Sequence, residues 1–358
     1  MSAAALPHPY FRPQRQGAVS LVAPASLATE LAGGEPPYLL DVRPPREREL
    51  AHLAGDHPIP LAELPGRLGE IPRDRTVVVY CQFGSQARRA AAFLEAQGWE
   101  QVAALEGGLD EYARLVDPSI PRYQERTGDR LFLRQFPRRE SGCLSYLLAD
   151  PVDHAAVLLD PGHEVEPYLA ELRRGDWKLR AIVETHTHAD HLAGHAALSA
   201  RTGAPIFLSR RSPANYPHRT LADGEGLGFG SEELLVWETP GHTRDHLTLR
   251  VAGKAFTGDT LLLGSCGRTD LGDGDPNQLW ESLTDKILSL PAETEVFPAH
   301  YGARHALPER YVSSVGFERA SNEALTQGSR EAFLKYMTEG WPPKPADFDR
   351  IVAANLSG

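Results

Sequence analysis

The sequence predicts two α/β units in tandem: a parallel sheet covered by helices on both faces, then a sandwich of two sheets flanked by helices. Three observations carry that reading. The chain has 358 residues, enough for two domains at ~100–200 residues each. Over residues 18–118, short continuous apolar runs alternate with helical segments, as in strands buried on both faces. From residue 131 onward hairpins stand between the helices, and the polar, proline-containing stretch 116–130 reads as the linker.

In the first unit, 38–42 and 76–80 read as strands, and 87–97 as an alanine-rich helix ended by Gly98. A third strand at 101–105 is followed by Gly107-Gly108 and a helix through Leu115. Residues 1–17, rich in Pro, Arg and Ala, read as a poorly ordered leader. In the second unit, 144–148 and 156–159 form a hairpin across 149–153. Strands follow at 181–184, 205–208, 234–238, 246–251 and 294–297, with helices at 191–202, 276–289 and 318–337. The segment 224–230 has the glycines of a phosphate loop but follows no clear strand and opens no helix, so it reads as a turn cluster.

The formal net charge of −11 argues against nucleic acid or an anionic membrane as the main partner, since both need a basic footprint. No apolar run approaches the ~20 residues of a membrane helix, and the N-terminus has no secretory h-region. Three cysteines, far apart at 81, 143 and 266, make no disulfide framework and fit a reducing, cytoplasmic compartment. Several of the fourteen histidines crowd into one short stretch, which points to a metal.

Cys81 directly follows the strand 76–80, and a helix begins a few residues later. Such a turn aims backbone N–H groups and a helix dipole at the sulfur, so the thiolate is expected to be stabilised and nucleophilic. Around it stand Tyr38-Leu39-Leu40-Asp41-Val42-Arg43, His52-Leu53-Ala54-Gly55, Ile59-Pro60-Leu61 and the stretch 98–109. In these segments residues 18–118 resemble a rhodanese (sulfurtransferase) domain. The resemblance implies that Cys81 becomes a persulfide during sulfur transfer and that Arg43 lies on the substrate side. The loop has Gln82 and Gln86 where that family often has arginines, so it holds less positive charge.

The second constellation is Thr185-His186-Thr187-His188-Ala189-Asp190-His191, with four ligand-type side chains in six residues. Imidazole with carboxylate suits borderline metals. Thr239-Pro240-Gly241-His242, Thr257-Gly258-Asp259 and Pro298-Ala299-His300 follow in order, each at a predicted strand end. This ordered set resembles the metallo-β-lactamase superfamily, an αββα sandwich, over nearly all of 131–358. Gly264-Ser265-Cys266-Gly267-Arg268-Thr269-Asp270 and the ending Pro342-Pro343-Lys344-Pro345 … Ala353-Ala354-Asn355 further resemble persulfide dioxygenases within it.

That resemblance implies one Fe(II) per chain, held by His186, His242 and Asp259. His188, Asp190, His191 and His300 would surround it, or hold a second metal. Arg268 would anchor substrate or pair with Asp270, and Tyr301 would take the place of a substrate-side tyrosine. Cys266 and Cys143 are expected to be packed. The implied reaction oxidises a thiol persulfide of the glutathione type with O₂ to sulfite, beside sulfite/thiosulfate exchange at Cys81. Two alternatives stay open: a di-zinc thioester hydrolase of glyoxalase II type, and a persulfide carrier or sensor. The sequence also leaves open a homo-oligomer.

Overall fold

The computed structural model describes residues 19–48, 51–117, 120, 131–138, 141–300 and 312–358. The first sheet contains β1 (Leu21–Val22), β2 (Tyr38–Asp41), β3 (His57–Pro58), β4 (Val77–Tyr80) and β5 (Val102–Leu105), in the order β1-β5-β4-β2-β3. All its pairings are parallel. Helices α1 (Pro24–Leu31), α2 (Pro45–Arg48) and α3 (Ser85–Ala96) lie between the strands in the chain, and α4 (Gly108–Leu115) follows β5.

Side-chain alternation explains why the central strands of this sheet are apolar on both faces. Tyr38, Leu40, Val77 and Val79 pack with Ala87, Ala90 and Leu94 of α3. Leu39, Val78 and Tyr80 face the other way, toward Leu27 of α1 and Leu109 and Tyr112 of α4.

Among the described residues the second domain holds two sheets of six strands. One contains β6 (Phe132–Arg138), β7 (Cys143–Asp150), β8 (Ala155–Leu159), β9 (Lys178–Val183), β10 (Ile206–Ser209) and β11 (Arg219–Leu221). The other contains β12 (Gly226–Phe229), β13 (Glu232–Glu238), β14 (Leu247–Val251), β15 (Lys254–Gly258), β16 (Glu295–Pro298) and β17 (Ser313–Ser314). The helices are α5 (Glu166–Arg174), α6 (His195–Thr202), α7 (Pro276–Glu281), α8 (Val315–Ser321), α9 (Arg330–Thr338) and α10 (Phe348–Ser357).

β7 shows how the sandwich is built. Leu144, Tyr146 and Leu148 enter the core between the sheets with Val236, Leu249, Phe256 and Phe297. Leu147 and Ala149 face out, under Tyr168 and Leu172 of α5 and Leu198 of α6. The Tyr146 ring meets Phe256 edge-on at 5.0 Å, joining the two sheets. Among the described residues no helix is long and apolar enough to cross a membrane.

Four sequence expectations need correction. The segment 224–230 contains an edge strand, because Gly226–Phe229 pairs antiparallel with β13. The expected helix 318–337 is broken into α8 and α9. Asn322 turns its side chain onto the carbonyls of Leu262 and Ser265, Gly328 adopts φ +83°, and Ser329 caps α9 through the Ala332 N–H. The expected helix 276–289 keeps α-geometry only over Pro276–Glu281 and then passes through a π-turn, Ser282–Lys286. The helix expected from residue 191 starts at His195, because the preceding residues form the loop that carries the histidines.

Candidate sulfur-transfer and metal sites

Cys81 stands at the end of β4, and the turn to α3 passes through Gly84 at φ +87°. Its sulfur accepts the N–H groups of Gly84 at 3.1 Å and Ala87 at 3.4 Å. The start of α4 closes over the turn: Leu109 N–H donates to the Cys81 carbonyl at 2.9 Å and Asp110 N–H to that of Gln82 at 3.0 Å. Gly108 allows this approach, since a Cβ there would stand 2.5 Å from the Cys81 oxygen.

The expectation of a stabilised thiolate is corrected. Burial pushes the Cys81 thiol up, and the N–H groups of Ala87, Phe83 and Gly84 offset only part of it. Arg43 is buried, with its guanidinium on Asp41 at 2.7 Å, on the Ala51 carbonyl at 2.8 Å and on the Gln82 side chain at 2.9 Å. It therefore braces the cysteine turn through Gln82.

The metal-type residues come from four strand ends. β9 leads into Glu184 to His191, β13 into His242, β15 into Asp259 and β16 into His300. The ligand atoms of His186, His242 and Asp259 lie within 4.8 Å of one another. Asp259 Oδ2 is 3.5 Å from His242 Nε2 and 3.9 Å from His186 Nε2. These gaps are too long for hydrogen bonds and suit three ligands around one ion.

The remote ring nitrogens are already engaged. His242 Nδ1–H donates to the Arg268 carbonyl at 2.7 Å, and His186 Nδ1 lies 3.0 Å from the Thr185 hydroxyl. That leaves both Nε2 atoms toward Asp259, as metal-bound histidines require. Burial, with His188 and His246 nearby, holds His186 well below the usual imidazole range. A neutral ring of this kind is the ligand form. The donor set therefore fits a metal.

His300 sits between two carboxylates, with Nδ1 2.6 Å from Asp259 Oδ1 and Nε2 2.8 Å from Asp190 Oδ2. Burial opposes charge on His300, but Asp259 and Asp190 outweigh it and hold the ring well above the usual range. Asp190 Oδ2 also meets His191 Nδ1 at 3.0 Å and the Cys143 thiol at 2.7 Å. His188 Nε2 contacts Asp160 at 3.2 Å and Glu184 at 3.1 Å, while its buried Nδ1 has no hydrogen-bond partner and lies 3.9 Å from Asp190.

Arg268 pairs with Asp270 at 2.8 Å and with the Pro342 carbonyl at 2.8 Å. Cys266 packs against Met337 in the core. Cys143 is buried but belongs to a group with Asp190 and His191, so packing alone does not describe it. Tyr301 lies outside the described residues.

Sequence reasoning missed several partners. His246 stacks on His186 and its Nε2 accepts the Asp259 N–H at 2.9 Å. Burial, then His242, lowers its pKa to about 3, so that lone pair stays available. Asp160 accepts the Thr185 N–H at 2.6 Å from a backbone at φ +50°; Asp-Pro-Gly after a strand was the available signal. Asn355 of α10 donates to the carbonyls of His188 and His191 at 2.9 and 2.8 Å. An open cleft reaches the site, lined by His242, Asp259 and His300 and by the apolar Leu271, Phe348, Val352 and Leu356.

Residues 138–300 match the metallo-beta-lactamase superfamily, and residues 23–115 the rhodanese-like domain. The persulfide dioxygenase ETHE1, mitochondrial, of Mus musculus is 38% identical over 237 residues, 65% of this chain and 91% of that protein. A hydroxyacylglutathione hydrolase of Cereibacter sphaeroides is 38% identical over 166 residues, 44% of this chain and 64% of that protein. The crystal structure of ETHE1 from Myxococcus xanthus matches with a TM-score of 0.59 and 34% identity, covering 63% of this chain and 98% of that one.

Proposed function

The chain belongs to the persulfide dioxygenase family, here joined to an N-terminal rhodanese-like domain, and from that premise we propose a bifunctional enzyme of sulfur metabolism. Its second domain, 131–358, oxidises a low-molecular-weight persulfide of the glutathione type. Its first, 18–118, moves sulfane sulfur through a Cys81 persulfide. The observation that carries the proposal is the convergence of His186, His242 and Asp259 with both imidazoles presenting Nε2.

A single Fe(II) would be held by His186, His242 and Asp259, and would supply redox reactivity toward O₂. The reaction balances as RSSH + O₂ + H₂O → RSH + sulfite + two protons, with the terminal sulfur oxidised and O₂ reduced. His300 bridges Asp259 and Asp190 and is placed to hold a proton at Nδ1 or Nε2. The apolar wall from α10 excludes water from one side of the cleft. Arg268 holds Asp270 and, through its carbonyl, the His242 tautomer; we assign it to the site in that role.

At Cys81 the thiolate attacks the sulfane sulfur of thiosulfate, the S–S bond breaks and sulfite leaves. A thiol then accepts the sulfur from the Cys81 persulfide, and the reverse direction consumes sulfite. Fusion raises the effective concentration of the shared intermediate. Three free, buried cysteines support a reducing compartment such as the cytoplasm.

The di-zinc thioester hydrolase is the second reading, favoured by the hydrolase relatives. It also finds support in Cys143, Asp190 and His191, whose ligand atoms lie within 4.8 Å of one another beside the first group. Assays with glutathione persulfide and with a glutathione thioester separate the two. O₂ uptake with the persulfide, and no thioester cleavage, is the expected result. The reverse would overturn the proposal, and activity only with a protein acceptor would favour a carrier.

A further inference from the structure

Helix α8 of the metal domain carries two consecutive side chains that serve the other domain's core and its own metal loop. Phe317 is buried among Leu40, Val79, Ala90 and Leu94 of the rhodanese-like domain and meets Phe93 edge-on at 5.5 Å. One residue earlier, Gly316 lets the domains approach, since a Cβ there would stand 3.1 Å from the Cβ of Ala62.

Glu318, fully buried, accepts four hydrogen bonds: from Ser313 Oγ at 2.6 Å, Arg89 Nη2 at 2.7 Å, Gly264 N–H at 2.7 Å and Asn322 Nδ2 at 2.8 Å. Asn322 also holds the carbonyls of Leu262 and Ser265. Together they grip the loop 262–266. The same loop continues to Gly267, whose N–H donates to the Asp259 carbonyl at 2.8 Å, and to Arg268, whose carbonyl accepts His242 Nδ1–H. Arg89 comes from α3, the helix whose first turn faces the Cys81 sulfur. The two sites thus share an ion pair, Arg89–Glu318, with side chains 8% and 0% exposed.

We propose that Arg89 is a positioning residue for the metal centre of the other domain. It neutralises Glu318, and Glu318 holds the 262–268 loop where the Arg268 carbonyl fixes the tautomer and aim of His242. A buried carboxylate keeps its geometry only with its cation in place, because loss of one partner leaves an unpaired buried charge. The metal domain would therefore depend on the rhodanese-like domain for the order of its own ligand. The inference rests on His242 being a ligand.

The test is titration of the metal-free full chain with cobalt(II), followed by its visible absorption bands, for wild type, Arg89→Met, Arg89→Lys and Arg89→Met/Glu318→Gln. Arg89→Met should weaken binding about 10- to 100-fold, as loss of a ligand's supporting partner does, and shift the bands. Arg89→Lys, which keeps a cation for the single Nη2 contact, should fall between it and wild type. The double variant should recover part of the loss, because the amide introduced by Glu318→Gln carries no charge and still accepts the Gly264 N–H. It also carries the test if Arg89→Met does not fold. Lower melting temperatures with wild-type cobalt affinity and bands would overturn the inference and leave only an interdomain brace. Retention of wild-type binding by His242→Ala would overturn the ligand assignment itself, and this inference with it.

Discussion

The Cys81 pocket and the candidate metal centre both gather polar groups around buried ionisable side chains in an acidic protein, by different means. The cysteine is served by backbone N–H groups from one contiguous turn, 81–87, and Arg43, which touches that turn at Gln82, is committed to Asp41. The metal centre draws side chains from four strand ends, with carboxylates and imidazoles set against each other. Backbone dipoles alone do not overcome burial at Cys81, whose thiol is pushed up. Dense pairing of opposite charges does overcome it at Asp190, which His191 and His300 hold well below the usual carboxylate range. A turn of N–H groups without a cation makes a pocket that waits for base or substrate, whereas a cross-paired cluster has its charges in place before substrate arrives.

The largest effects should fall cleanly on one region or the other. His242→Ala or Asp259→Ala should abolish metal binding and O₂ uptake while sulfur transfer from thiosulfate persists, read by metal analysis, an oxygen electrode and a transfer assay. Conversely, Cys81→Ser should abolish transfer and leave O₂ uptake with a small-molecule persulfide. Equal loss of both activities in either variant would break the two-site comparison. Gly108→Ala pushes a Cβ to within 2.6 Å of the Gly84 nitrogen at φ +64°. Transfer should drop by as much as about 100-fold, the scale of a ~1 Å misplacement, with the far-ultraviolet circular dichroism unchanged.

A pH profile sharpens the electrostatic half of the comparison. The nucleophile is the thiolate, so a raised Cys81 pKa means that transfer keeps rising with pH past the ordinary thiol range of about 8.5. A plateau reached below pH ~7 would contradict it. The smallest effect belongs to Asn355→Ala, which strips donors from the His188 and His191 carbonyls. It should lower stability by about 1–3 kcal/mol in a denaturant melt.

The parts legible in the sequence were those carried by short contiguous signals. Cys81 after a β-branched run, and His186, His242, Asp259 and His300 each just past a strand, need only local pattern to be placed. What escaped depends on distant pairing. Cys143 reaches the metal cluster because its backbone bridges to His300, and Asn355 reaches it from a helix 164 residues beyond His191. The break at Asn322 was hidden because a helical pattern runs on either side of it, and only the Leu262 and Ser265 carbonyls explain why that side chain leaves the helix. For Arg43 the motif marks the position, while Asp41 and Gln82 decide where the guanidinium points.

Metal content and oxygen stoichiometry, measured together on anaerobically purified full-length protein, test the central claim most directly. About one iron per chain, and one O₂ consumed per glutathione persulfide with sulfite formed, is the predicted result. Two zincs per chain, with thioester cleavage and no O₂ uptake, would contradict it.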